Sequence, residues 1–445
     1  MGRPTNPNDR HDSREGVCGS VKAVRILYST ELHMPFQHVT LPNGLQVLGE
    51  TNPTALSVAL GFFVHTGSRD ERDDESGVSH FLEHMVFKGT ERRDAIQVNR
   101  DFDRIGAENN AFTSEELTVY YAVVLPEYLP QAFEILADIL RPALREADFQ
   151  TEKNVIKDEI ARYEVRPEWL VYDLSRKRYF GDHPLGRSIL GTRESIDALT
   201  RQQMLDYFSR RYAASNILVV AAGNFAWDQF VSLNQRYCGD WNGQPVAPRS
   251  RRESPVRSGI EVVYREKLSQ EYVMMWGPAP PADSPLLHSA HLLTSIVGDY
   301  TGSRFYWELV DPGLADTADF SYIDADGAGA FVVSLSCQPE RTASNLAIVR
   351  RILKDVQTAG VTDEELQVAK TRLAAREVRS HERSYRRMLA VGEDWVYLNR
   401  YVSMDEELAA IDTVRLQDIR NLLDRYPLRD LMTVALGPVR ELSLD

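Results

Sequence analysis

Cysteine is scarce in this chain: Cys18, Cys238 and Cys337 are the three in 445 residues. They stand far apart and form no CxxC pair, so neither a disulfide framework nor a cysteine metal knuckle is available. Their odd number leaves at least one free thiol, which suits reduced cysteines and a cytoplasmic localisation. No apolar run approaches the ~20 residues that a membrane span needs. Residues 1–30 hold no apolar core of the kind a secretory signal carries, and Asp9, Asp12 and Glu15 are out of place in an organellar presequence. Basic charge is also short. Lys and Arg number 51 against 65 Asp and Glu, a net charge of −14, with a pI near 5.3. That balance excludes the basic field a nucleic-acid surface requires.

What remains is a globular composition, 43% hydrophobic and 26% charged. At 445 residues the chain exceeds one ordinary core and implies two or three domains. Residues 1–33 read as a disordered tail, with Met34 directly before the first recognisable strand. Leu56 to His65 puts Val58, Leu60, Phe62 and Val64 on one face at period two, a strand. Asp70 to Glu75 reads as a charged, solvated loop. Ser76 is the candidate N-cap of a helix running to Lys88, with Gly89 as its stop. Leu117 to Val124 and Ile217 to Ala222 read as strands, Tyr128 to Leu140 and Asp148 to Glu164 as helices. Asn242 to Ser258 is rich in Pro, Arg and Ser and looks like a linker. Beyond it the pattern repeats. Tyr120–Leu140 matches Ala330–Leu353 in the order strand, polar break, helix, and Asp148–Glu159 matches Glu365–Arg376. The expected fold class is therefore α+β, with duplicated domains over 34–240 and 259–445 joined by residues 241–258.

The chemistry concentrates in His80-Phe81-Leu82-Glu83-His84. On a helix, residues i and i+4 share a face, so both imidazoles reach one ion while Glu83 points the same way. The bland reading is two histidines in a packed helix. A catalytic zinc needs three protein ligands and a water, the third being a His or carboxylate from another element. Glu159 follows His84 by 75 residues on the long helix, with Glu152 two turns earlier on the same face. One suits a ligand and the other a support for a ligating histidine.

The stretches SHFLEHMVFKGT, GAENNAFTSEE, EKNVIKDEIARYE and HPLGRSILGTRESI resemble the pitrilysin, insulysin and mitochondrial processing peptidase family, the inverzincins. The resemblance covers about residues 36–445 and is strongest through 225. It implies Zn2+ held by His80, His84 and Glu159, Glu83 as the catalytic base, and Glu152 as the supporting carboxylate. It implies paired α+β domains forming half of a clamshell chamber. It also places Asn110, Ala111 and Phe112 on an edge strand where an extended peptide substrate would pair. The function so implied is a zinc-dependent endopeptidase acting on peptides or unfolded segments.

One part of the pattern departs. Active single-chain members carry an Arg and a Tyr in the second half that hold the substrate carbonyl. Aligned on Gly313-Leu314-Ala315, those positions here are Val310 and Asp316, neither able to donate to an oxyanion. Arg304 and Tyr322 are nearby alternatives, each more in keeping with a structural role. A homodimer or heterodimer in which a related subunit supplies the pair would meet the need. A zinc-bearing scaffold subunit with little turnover is the alternative. His288 and His291 fall near the second-half counterpart of the zinc helix, yet Arg376 stands at the third-ligand position, so that half is expected to be metal-free. His183, His65 and His381 read as turn, core or surface residues.

Overall fold

The computed structural model describes residues 35–249, 251, 253 and 256–442. The tail read over 1–33, and Cys18 within it, lie outside the described residues. Among the described cysteines, Cys238 and Cys337 are buried free thiols. No helix among the described residues is long and apolar enough to cross a membrane.

The first half runs β1 (Phe36–Thr40), β2 (Gln46–Thr51), β3 (Val58–Val64), α1 (Val78–Val86), α2 (Ala95–Arg104), β4 (Glu108–Thr113) and β5 (Thr118–Val124). It continues with α3 (Leu129–Ile139), α4 (Glu146–Glu164), α5 (Pro167–Phe180), α6 (Arg193–Ala198), α7 (Arg201–Arg211), β6 (Ile217–Gly223) and α8 (Trp227–Cys238). The second half holds β7 (Gly259–Tyr264), β8 (Glu271–Pro278), α9 (Leu287–Gly298), β9 (Thr317–Ala325) and β10 (Ala328–Cys337). After it come α10 (Thr342–Ala359), α11 (Asp363–His381), α12 (Ser384–Leu398), α13 (Met404–Thr413), α14 (Leu416–Arg425) and β11 (Met432–Gly437).

The two sheets repeat one topology. The first is ordered β1-β2-β6-β3-β5-β4 and the second β7-β11-β8-β10-β9. In each, the last strand of the half inserts beside the first parallel to it, β6 on β2 and β11 on β7, and antiparallel to the next. The α+β duplication expected from the sequence is therefore present strand for strand, with β1 an addition to the first half.

Each sheet is covered on one face by helices of its own half. Val58, Leu60, Phe62 and Val64 of β3 face a core shared with α1, α3, α4, α7 and α8. The opposite faces are covered by exchange. From the second half, α12 lays Met388, Leu389 and Val391 on Ala59, Phe63, Val119, Leu218 and Val220 of the first sheet. From the first half, α5 lays Val171, Tyr179 and Phe180 on Met274, Trp276, Val332 and Val434 of the second. Fully burying one such side chain is worth about 1.5–3 kcal/mol. The first exchange needs room that only glycine leaves. A Cβ on Gly392 of α12 would meet the Phe63 ring at 2.4 Å, and one on Gly61 of β3 would meet Met388 Sδ at 2.8 Å.

A buried ion pair fastens α12. Arg387 Nε bonds both oxygens of Glu50 at 2.6 and 2.7 Å, and its Nη2 donates to Val402 O at 2.9 Å. Tyr401 Oη donates to the same carboxylate at 2.6 Å. Side-chain exposure is 4% for Arg387 and 1% for Glu50, so neither charge has water to fall back on.

The charged segment read as a solvated loop is a correction. Asp73 and Asp74 are exposed, but Arg69, Glu71 and Glu75 are buried. Arg69 pairs with Glu116 at 2.5 Å, Arg249 with Asp70 at 2.6 Å, and Arg210 with Glu75 at 2.6 Å. Those partners lie 47, 179 and 135 positions away, too far for a local pattern to report. Arg249 lies within the stretch read as a linker and also donates to Glu116 O at 2.8 Å.

Between the exchanged helices runs a cavity of about 480 Å³, lined among others by Phe112, Trp276, Asp324, Glu377, Asp394 and Glu407. Burial holds all four of these carboxyls above the usual range. Asp394 is pushed up to about 7, chiefly by burial and then by Glu407, with Arg387 pulling the other way.

Two outcomes follow from this clasp. Arg387→Met strands Glu50 in the interior and should cost about 3–5 kcal/mol in urea unfolding; a loss under 1 kcal/mol would show that the pair does not hold the halves. For Asp394, the folded state keeps a proton that the unfolded state has already released, so its contribution is lost as pH rises from about 4 through 7. The thermal midpoint of Asp394→Asn should therefore gain on wild type by roughly 2–4 °C between pH 5 and 8. An invariant gap would remove Asp394 from the titration.

Candidate metal centre

Helix α1, which carries His80, Glu83 and His84, starts at Val78, two residues after the expected cap. Gly77 is the N-cap residue, in the left-handed region at φ +91°. A side chain there would be strained, and its Cβ would meet Leu190 O at 2.7 Å. The capping acceptor is Glu71 rather than Ser76. Its Oε2 accepts from Gly77 N at 2.8 Å and its Oε1 from Ser79 N at 2.9 Å. A carboxylate at the N-terminal end of a helix satisfies orphan N–H groups and complements the dipole. Burial pushes Glu71 up to about 8, against the pull of these two N–H groups and Arg187. No sequence signal marked Glu71, because the charged run around it looked exposed.

Val78, Phe81, Leu82 and Met85 bury one side of α1 in the first core. Phe81 stacks on Phe149 of α4 at 4.7 Å between centroids, which sets α1 and α4 side by side. The polar side of α1 then faces the carboxylates of α4. His80 Nε2 lies 3.8 Å from Glu159 Oε2, and His84 Nε2 lies 3.5 Å from the same atom. Among the described residues, His80, His84 and Glu159 form the one group of three His, Cys, Asp or Glu side chains whose ligand atoms all lie within 4.8 Å of one another. Ligands about 2.0–2.1 Å from a tetrahedral zinc stand roughly 3.3 Å apart, so small rotamer adjustments suffice for an ion.

The protonation states suit a cation. Burial lowers the His80 imidazole to about 3, the neighbouring His84 adding to the effect and Glu152 opposing it. It is therefore neutral and offers lone pairs, as a ligand must. Glu152 Oε1 lies 2.8 Å from His84 Nδ1. Accepting the Nδ1 proton leaves His84 Nε2 unprotonated on the side of Glu159. Lys88 Nζ stands 2.5 Å from the other oxygen of Glu152. Burial alone would raise Glu152, but hydrogen bonds from His84 and Lys88 hold it below the usual range. Lys88, half-buried here, escaped the sequence reading because a lysine at a helix end has no distinguishing pattern.

Glu83 lies beside this group. Burial raises its carboxyl, a hydrogen bond from Thr113 and the nearby His84 lower it, and Glu159 raises it. Asn110, Ala111 and Phe112 lie on β4, the edge of the first sheet, which packs against α1. Ala111 N donates to the Asn110 side-chain oxygen at 2.9 Å.

The residues considered beyond this group form no second ligand cluster among the described residues. Val310 packs on the second core, and Asp316 accepts from Gln270 at 2.8 Å. Arg304 makes a two-bond pair with Glu365 at 2.7 and 2.9 Å. Tyr322 Oη donates to Pro280 O at 2.8 Å. His183 Nδ1 accepts from Leu185 N in a turn. His65 and His381 are each lowered to about 4, chiefly by burial.

Comparison with known proteins identifies the family. A family model described as insulinase (peptidase family M16) matches residues 46–193, and one described as peptidase M16 inactive domain matches residues 198–373. A Streptomyces coelicolor protein called an uncharacterized zinc protease is 32% identical over 419 residues, covering 91% of this chain and 90% of its own. A Bacillus subtilis protein called the uncharacterized zinc protease YmxG is 28% identical over 401 residues, 90% of this chain and 97% of its own. The fold resembles a Helicobacter pylori protease at TM-score 0.85 and 22% identity, over 91% of this chain and 100% of that one. It also resembles a Pseudomonas fluorescens M16 inactive-domain structure at TM-score 0.85 and 18% identity, over 92% and 99%.

Glu152→Gln should weaken zinc binding by about 10–100-fold, read by competition with a chromophoric chelator. An unchanged affinity would mean that Glu152 does not orient His84.

Proposed function

Because the chain belongs to the insulinase family of peptidases, M16, we propose that it is a zinc-dependent endopeptidase cleaving peptides or unfolded segments within a closed chamber. The observation that carries the reading is the approach of His80, His84 and Glu159 to within 4.8 Å of one another, with Glu83 alongside on the same helix. When bound, the ion supplies a Lewis acid for the scissile carbonyl and lowers the pKa of a water to about 7.

The chain's residues do the remainder. His80, His84 and Glu159 hold the ion, and Glu152 keeps the His84 ring oriented. Glu83 takes a proton from the attacking water at a carboxylate oxygen and returns it to the leaving amine nitrogen. Its burial favours the protonated carboxyl, which fits a group that must hold the proton between the two transfers. The open edge of β4 at Asn110, Ala111 and Phe112 pairs with an extended peptide through backbone hydrogen bonds. Selection then rests on backbone conformation and chamber shape more than on side-chain identity.

Val310 and Asp316 leave this chain without a donor pair for the substrate carbonyl at the expected positions. A second related chain closing the chamber would supply it, as a homodimer or a heterodimer. That same departure favours a second reading, a zinc-bearing scaffold subunit with little turnover of its own. A base at Glu83 argues against it, since a structural zinc site has no use for one.

Cleavage of a quenched fluorescent peptide library separates the two, with Glu83→Gln as control and zinc measured in parallel. Turnover by wild type, a loss of at least 10³-fold in Glu83→Gln, and about one zinc per chain in both are the expected result. Zinc with no turnover in wild type would favour the scaffold or a missing partner, and equal rates in both proteins would sink Glu83 as the base.

A further inference from the structure

Thr113 is the last residue of β4 and lies opposite Thr118 of β5. Side chains alternate along a strand, so Thr113 and Ala111 share a face, and Ala111 packs against the core that buries α1. From that face Thr113 Oγ1 donates to Glu83 Oε2 at 2.5 Å. Oε2 is thereby engaged, and Oε1 is the oxygen left to meet a water.

The backbone behind this hydroxyl is fixed. Ser114 N donates to Leu117 O at 2.7 Å in the turn that follows, and Arg69 N donates to Glu115 O at 2.8 Å across it. Opposite, Thr118 Oγ1 donates to Thr66 O at 3.0 Å in the interior. Glu83, by contrast, reaches the site on a glutamate side chain, whose rotamer freedom is costly to freeze. A hydroxyl on a rigid strand end removes that freedom with one charge-assisted hydrogen bond.

Resting on the peptidase reading, we propose that Thr113 is a positioning residue that ties the carboxylate of the base to the strand on which the substrate lies. The peptide pairs with the outer edge of β4 while Thr113 on the same strand holds Glu83. The base and the scissile bond then share one frame of reference, and a shift of the strand moves both together. A misplaced base would bind substrate normally and turn it over slowly, since positioning errors act on the chemical step.

The test compares Thr113→Val and Thr113→Ser with wild type, using one fluorescent peptide, zinc content and crystal structures of the zinc-loaded proteins. Valine keeps the shape without the hydroxyl, and serine keeps the hydroxyl. The expected result is a fall in kcat of about 10–100-fold for valine with KM within about twofold, and recovery by serine. Zinc content stays at wild-type level, and the Glu83 carboxylate in the valine variant spreads over more than one rotamer. A valine variant within twofold of wild type overturns the proposal, as does a serine variant no better than valine. Loss of zinc alongside activity also overturns it, because Thr113 would then be supporting the metal helix. If valine does not fold, Thr113→Ala is read in its place, and failure of both to fold marks the residue as structural. Inactivity of wild type itself would count against the peptidase reading alone, and the Glu83 rotamer in the crystals still decides Thr113.

Discussion

Each sheet of this chain has two apolar faces, and its own half supplies helices for only one. The rest of the architecture depends on how the second face is covered. The answer is reciprocal: α12 crosses from the second half to the first sheet, and α5 from the first half to the second. Neither half can retract its helix without exposing a full sheet face of the other. The clasp also reaches the metal centre. Only Val165 and Arg166 separate α4, which carries Glu152 and Glu159, from α5. These carboxylates of the candidate metal centre are therefore held by a helix whose continuation is packed on the opposite half, where Trp276 Nε1 donates to Ser175 Oγ at 2.8 Å.

Charge at the site is arranged in a line: Lys88, Glu152, His84, Glu159. Lys88 holds Glu152 and Glu152 holds His84, whose bare Nε2 faces Glu159 across the point where the ion would sit. Behind α1, a second set of polar contacts holds the helix in place. Glu71 caps its first turn, and Arg187 Nη1 donates to the carbonyls of Arg69 and Glu71 at 3.1 and 2.5 Å. The segment from His183 to Thr192, prominent in the sequence as a motif, thus works from a distance. It braces the loop that braces the metal helix, and it offers no ligand of its own.

Sequence reading succeeded where a local period or a fixed spacing carried the information. The alternation of Val58, Leu60, Phe62 and Val64 marked β3, and the i, i+4 histidines marked the face of α1. It was silent on the other face of β3, because Ala59, Gly61 and Phe63 are buried by a helix that begins 320 positions after the strand ends. The same reason hid the ion pairs of Arg69, Asp70 and Glu75, whose partners are brought close only by the tertiary fold. Charge density looks alike in a solvated loop and in a buried network. What distinguishes them is the partner, and the partner is not local.

The duplicated topology makes the second half a natural control on the first. There α9 and α11 stand where α1 and α4 stand, and the residues that would need to be ligands have other work. Arg376, at the counterpart of Glu159, bonds Asp299 at 2.6 Å, and Arg372 approaches the same carboxylate at 3.7 Å. A guanidinium offers no lone pair and repels a cation. His288 and His291 are spaced by three on α9, with His288 Nδ1 lying 3.4 Å from Glu407 and His291 edge-on to Tyr322. The backbone frame is thus present twice and, among the described residues, the donor set once. In the second copy both the histidine spacing and the residue at the third position differ, while the strand order is unchanged.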